Sequence, residues 1–179
     1  NDITKAQSQM EQLSDDVGEL EETLGKNKDK KSKLLNQEKD KLEKENEKLE
    51  SARNSIEKDK KKVEATLTRN KTIQEGLQEE IDKFAKIGSK CPYCESKITK
   101  EHLENLESER KEKLAEIKKV LKKSMDDLEK IDSSLKKQNT LIENYENKIS
   151  ELDDIIPDLE DYEKKLIKLQ PITSQINNL

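Results

Sequence analysis

Large aromatic side chains are almost missing from this sequence. It has no Trp, one Phe and three Tyr, so aromatics make up 2% of its 179 residues. A globular chain of this length needs roughly half its residues apolar, and here 29% are hydrophobic against 43% charged. A sizeable three-dimensional core is therefore excluded. Glycine and proline are also scarce, at four and three residues, too few for a chain rich in loops or linkers. No run of about 20 apolar residues occurs, so no membrane span is expected. No signal-peptide pattern opens the sequence, and an intracellular location is expected, in cytoplasm or nucleus. The formal net charge is −5, without the basic footprint of a nucleic-acid binder. Lys58, Lys60, Lys61 and Lys62 are interleaved with acidic residues in the surrounding sequence and read as a solvated helix face.

What the chain does have is alternating Lys and Glu, as in DKLEKENEKLE, where opposite charges four apart support a helix. A heptad repeat runs beneath that charge. In the second half, steps of three and four pick out Leu114, Ile117, Leu121, Ser124, Leu128, Ile131 and Leu135, then Gln138, Ile142, Tyr145, Ile149, Leu152, Ile156 and Leu159. Only Ser124 and Gln138 interrupt that apolar stripe, which has the narrow width of a coiled-coil seam. In the first half Met10, Leu13, Val17, Leu20 and Leu24 form one block. Leu35, Leu42, Leu49, Ile56 and Val63 follow at strict sevens, then Leu67, Leu77, Ile81 and Phe84. Lys39, Asn46, Arg53 and Lys60 lie between the sevens, polar seam residues that cost stability and specify register.

The pattern stops over residues 86–106, KIGSKCPYCESKITKEHLENL. Gly88 can adopt the left-handed conformation that ends a helix. Pro92 forbids its continuation, and Thr99 offers an N-cap with Glu101 in the first turn behind it. The expected fold is all-α: a long antiparallel coiled-coil hairpin. It has an ascending helix over 1–87, a Cys-x-x-Cys turn over 88–98 and a descending helix over 99–179. The heptads of the two arms match if Val63 faces Leu121, Ile56 faces Leu128 and Leu42 faces Ile142. That register sets Asn46 beside Gln138, Lys60 beside Ser124 and Lys39 beside Tyr145. Farther out, GKNKDKKSK over residues 25–33 carries no large apolar residue, and the opposing stretch contains Pro157. A break, as a hinge or local bulge, is expected near 157. The heptads continue toward both ends, which suggests a segment of something longer.

Cys91 and Cys94, in Cys91-Pro92-Tyr93-Cys94, are the only cysteines. Zinc takes four tetrahedral ligands, and a C-x-x-C turn supplies two thiolates. A second copy of the turn would complete the set across a two-fold axis, giving one Zn²⁺ per two chains. Lys86, Lys90, Lys97 and Lys100 are near enough in sequence to offset the thiolate charge, and Pro92, Tyr93 and Ile98 would supply the contact between copies. Three other readings compete. C-x-x-C also serves dithiol redox chemistry, but that needs a βαβ domain, and no strand-like alternation is present. A passive coiled-coil scaffold, dimerising along its arms, would leave the cysteines incidental. His102, the single histidine, falls one turn into the descending helix and reads as a surface residue. Gly25-Lys26 fails the phosphate-loop pattern, since Leu20 stands where its first glycine belongs. No catalytic constellation is found.

A long coiled coil with C-P-x-C at its bend, followed by Ile98-Thr99-x-Glu101-His102 opening the return helix, resembles the zinc hook of the SMC-like DNA double-strand-break repair ATPases (the SbcC type). The specific match covers about residues 88–106. The resemblance implies that Cys91 and Cys94 are zinc ligands and that two hooks share one ion, forming a homodimer. It also implies ATPase heads outside this segment that act on DNA with a nuclease partner. No ATPase motif is present here, so the segment itself is expected not to be an enzyme.

Overall fold

The computed structural model describes residues 2–88, 90, 91 and 95–177. The fold is all-α. Helix α1 spans Asp2–Leu24, a 3-10 segment covers Gly25–Asp29, α2 spans Ser32–Phe84 and α3 spans Lys100–Asn177. Among the described residues there is no strand, only an isolated antiparallel bridge between Lys90 and Lys97. No helix is long and apolar enough to cross a membrane.

The heptads reached the correct faces. Every seam position named on α3, from Leu114 to Leu159, is buried or half-buried, as are those from Met10 to Phe84 on the first arm. That includes Lys39, Asn46, Arg53 and Lys60, whose stems cover apolar surface while their polar ends reach outward. Asn46 Oδ1 and Arg53 Nε are nevertheless buried without a hydrogen-bond partner. An unpaired buried polar group costs on the order of 1–3 kcal/mol, so these seam positions weaken the coil locally.

The chain divides into two compact units, 51–139 and the pair of segments 1–50 with 140–179. In the first, α2 and α3 run antiparallel: Glu80 pairs with Arg110, and Lys60 reaches Asp132 at 2.7 Å. Ile81, Leu114 and Leu121 are its buried apolar residues, and the Ser124 side chain is buried with them. The register differs from the one the heptads suggest. Matching Lys60 to Ser124 would put Lys90 opposite Cys94, whereas the bridge joins Lys90 to Lys97. Val63 and Ser124 line one groove of the seam. The arms are thus offset by about half a heptad, and the lean of helical side chains toward their own N-termini carries Lys60 further, to Asp132. The physical reason is that in an antiparallel pair a half-heptad slip exchanges one apolar layer for the next. Periodicity alone cannot choose between them; the turn does.

In the second unit Val17, Leu24, Leu35, Leu152, Ile156, Leu159 and Tyr162 form one buried cluster, and Leu159 is fully enclosed. Lys39 pairs with Asp153 at 2.5 Å, again beyond the expected Tyr145. The Asp153 carboxylate is the main cause of a raised Lys39 pKa. The break also falls elsewhere than expected. Helix α3 continues through Pro157 and Pro171, and the interruption is in the first arm, at Gly25–Asp29. Proline costs a helix one N–H donor and a local clash, which the burial of Ile156 and Leu159 on either side offsets. The stretch 25–31 has nothing apolar to bury, so it leaves the seam. Gly25 opens it at φ 50, and Lys30 N–H closes it on the Asn27 carbonyl at 3.0 Å.

Candidate metal-binding turn

Helix α2 unwinds before the cysteines through tightened bonds: Lys86 N–H to the Lys83 carbonyl at 3.0 Å and Ile87 N–H to that of Phe84 at 3.2 Å. Gly88 does not take the left-handed conformation open to it; among the described glycines only Gly25 does. The reversal is made farther on. The Cys91 N–H donates to the Ser96 carbonyl and the Glu95 N–H to the Cys91 carbonyl, each at 2.9 Å. Both main-chain polar groups of Cys91 are therefore fixed from across the turn. Glu95 takes φ 58, a conformation that costs a residue with a Cβ about 1–2 kcal/mol and that the two bonds hold in place. Nothing in the sequence marks Glu95 for this role, since glycine is the usual occupant.

The return helix starts as its cap predicts. Thr99 Oγ1 accepts the His102 N–H at 3.3 Å, and the Thr99 carbonyl accepts that of Leu103 at 3.2 Å. Glu101 is in the first turn, where the helix dipole favours a carboxylate.

Cys91 is half-buried and carries a free thiol. Cys94, Pro92 and Tyr93 lie outside the described residues. Ile98 is half-buried, and Lys86, Lys90, Lys97 and Lys100 are all exposed. Among the described residues no three His, Cys, Asp or Glu side chains converge as a self-contained metal site. The donor set that the sequence places in this turn, two thiols three residues apart, fits half of a tetrahedral zinc site. His102, exposed, borders the same groove as Cys91. That groove is walled mainly by Phe84, Ile87, Ile98, Leu103 and Leu106. Of these, the heptads marked only Phe84; Leu103 and Leu106, three apart on α3, carried the signal that would have extended the seam to the tip.

No family model, curated protein or solved structure matches this chain.

Proposed function

We propose that this chain is a zinc-dependent homodimerisation module: a zinc-hook turn joining the arms of a long antiparallel coiled-coil hairpin, with Cys91 and Cys94 of each copy binding one shared Zn²⁺. The observation that carries the reading is the placement of Cys91-x-x-Cys94 in the reversal between two long helices, with the Cys91 backbone pinned by Ser96 and Glu95. A thiolate held on a fixed backbone loses little freedom on binding metal, and zinc bound by four thiolates is closed to further ligands, which suits a structural role. Pro92, Tyr93 and Ile98 complete the contact between copies. In the wider setting implied by the resemblance, the helical arms are a spacer. The module tethers two copies of an intracellular DNA double-strand-break repair ATPase, whose heads and nuclease partner lie outside this sequence. The segment contributes no catalysis of its own.

The test is metal content together with association state. The reduced chain should bind one zinc per two chains and dimerise with it. Cys91→Ser with Cys94→Ser should yield a monomer with nearly unchanged far-UV helicity, because the seam is buried within one chain. One zinc per chain would overturn the shared site. A double mutant still dimeric at micromolar concentration would favour scaffolding along the arms. Reversible disulfide exchange with a dithiol substrate would favour the redox reading.

A further inference from the structure

Helix α2 ends at Phe84 while α3 begins at Lys100, so the seam opens at the tip. Phe84, Ile87, Ile98, Leu103 and Leu106 remain only half-buried there, around a groove of about 480 Å³ that has Cys91 in its wall. Grooves of this size accept bulky apolar groups. We propose that the groove receives the turn of a second copy of this chain, with the Tyr93 ring of each copy inserted into the groove of the other. This rests on the shared-zinc reading. With Cys91 of both copies on one ion, at about 2.3 Å from each sulfur, the partner's turn is held over the groove, and Tyr93 is the single aromatic that the turn can offer. A two-fold axis makes the contact reciprocal, so each copy both gives and receives a ring.

The rim explains why such a contact needs the metal. Lys86, Lys90, Lys97 and Lys100 are exposed around the turn, and two basic tips repel each other. Four thiolates around one zinc carry net negative charge and neutralise that repulsion at the centre. The apolar insertion then gives what the metal alone does not: selection of a like tip and a defined angle between the two copies. Aromatic groups buried at the centre of an interface commonly dominate its affinity.

The experiment uses the full chain, loaded with zinc, and measures the dimer dissociation constant by dilution for the wild type, Ile87→Ala, Tyr93→Ala and the double variant. Each single change should weaken the dimer at least about 10-fold, as the loss of an interface anchor does. The double variant should be weaker than either single by much less than the product of the two, because ring and groove act on each other. Zinc at saturating protein should remain one per two chains, and helicity should be unchanged. A dissociation constant unaltered by Ile87→Ala would leave the groove to some other partner and overturn the proposal. Strictly multiplicative losses would remove the pairing of Tyr93 with the groove. Wild-type chain that binds zinc as a monomer would instead sink the shared-site reading, an outcome visible before any variant is made.

Discussion

Ser32 and Glu163 share two hydrogen bonds: the Ser32 N–H donates to Oε1 at 3.0 Å and the hydroxyl to Oε2 at 2.6 Å. Ser32 opens α2, so its N–H is one of the four that no intrahelical carbonyl can satisfy. A carboxylate from α3 caps it, and the negative charge suits the positive end of the helix dipole. Asn36 Nδ2 adds a bond to Glu160 at 3.0 Å, one turn along. The residue next to Glu163, Tyr162, donates instead to Glu21 at 2.7 Å, on α1. Adjacent residues of α3 thus grip the two ends of the extruded segment, Glu21 before it and Ser32 after it. The bulge in the first arm is a fastened feature.

Removing the cap should loosen one turn. Glu163→Ala is expected to cost about 1 kcal/mol, the typical value of a helix N-cap. Amide exchange should accelerate at Ser32 and the following residues, with zinc binding at the tip unchanged. Unaltered exchange at Ser32 would show that its N–H does not depend on Glu163.

Leu159 is the fully enclosed member of the cluster around Leu35, Ile156 and Tyr162. Leu159→Ala should destabilise that unit by about 2–5 kcal/mol, the range for leucine truncation in a packed core. Denaturant unfolding and protease susceptibility of residues 140–179 would measure it. A loss below about 1 kcal/mol, the scale of a surface change, would mean that the cluster is not closed.

The Tyr162 contact gives a pH dependence of known sign. Its hydrogen bond to Glu21, aided by burial, pushes the phenol up to about 12. The same bond, aided by Lys28, holds Glu21 below its ordinary carboxylate value. The tyrosine contribution is complete below the ordinary phenol value of about 10 and is lost as pH rises through about 12. The glutamate contribution is present above the ordinary carboxylate value of about 4.3 and is lost as pH falls through its lowered one. The contact therefore stabilises from mildly acidic to mildly alkaline solution. Tyrosinate absorbance should show one late-titrating phenol that moves back toward about 10 in Glu21→Gln. A wild-type protein with no late phenol would contradict the bond.

Two glycines should respond in opposite directions to alanine. A Cβ at either Gly25 or Gly76 meets nothing within 4 Å, so only the backbone decides. Gly25, at φ 50, should lose about 1–2 kcal/mol. Gly76, inside α2, should gain about 0.5–1 kcal/mol. Thermal melts of the two variants check both signs, and a stabilising Gly25→Ala would show that the left-handed turn is dispensable.

Much of this protein could be read before any coordinates. The heptads placed Leu121, Ile142 and Leu159 on the buried stripe and Thr99 at the start of the return helix, because burial of a helical face and capping are local consequences of residue type and spacing. The cysteine pair and its position between two long helices were equally plain. Tertiary structure decided what periodicity leaves degenerate. The offset of the arms follows from the bonds of Cys91 to Ser96 and of Lys90 across to Lys97, since a repeating apolar stripe offers a layer at every half-heptad. The site of the interruption was decided the same way. Pro157 loses one helical hydrogen bond yet has Ile156 and Leu159 buried beside it, so α3 continues. The residues from Gly25 to Lys31 keep their hydrogen-bonding groups but have no side chain to bury, so they give way, and Glu163, remote in sequence, restarts the helix beyond them.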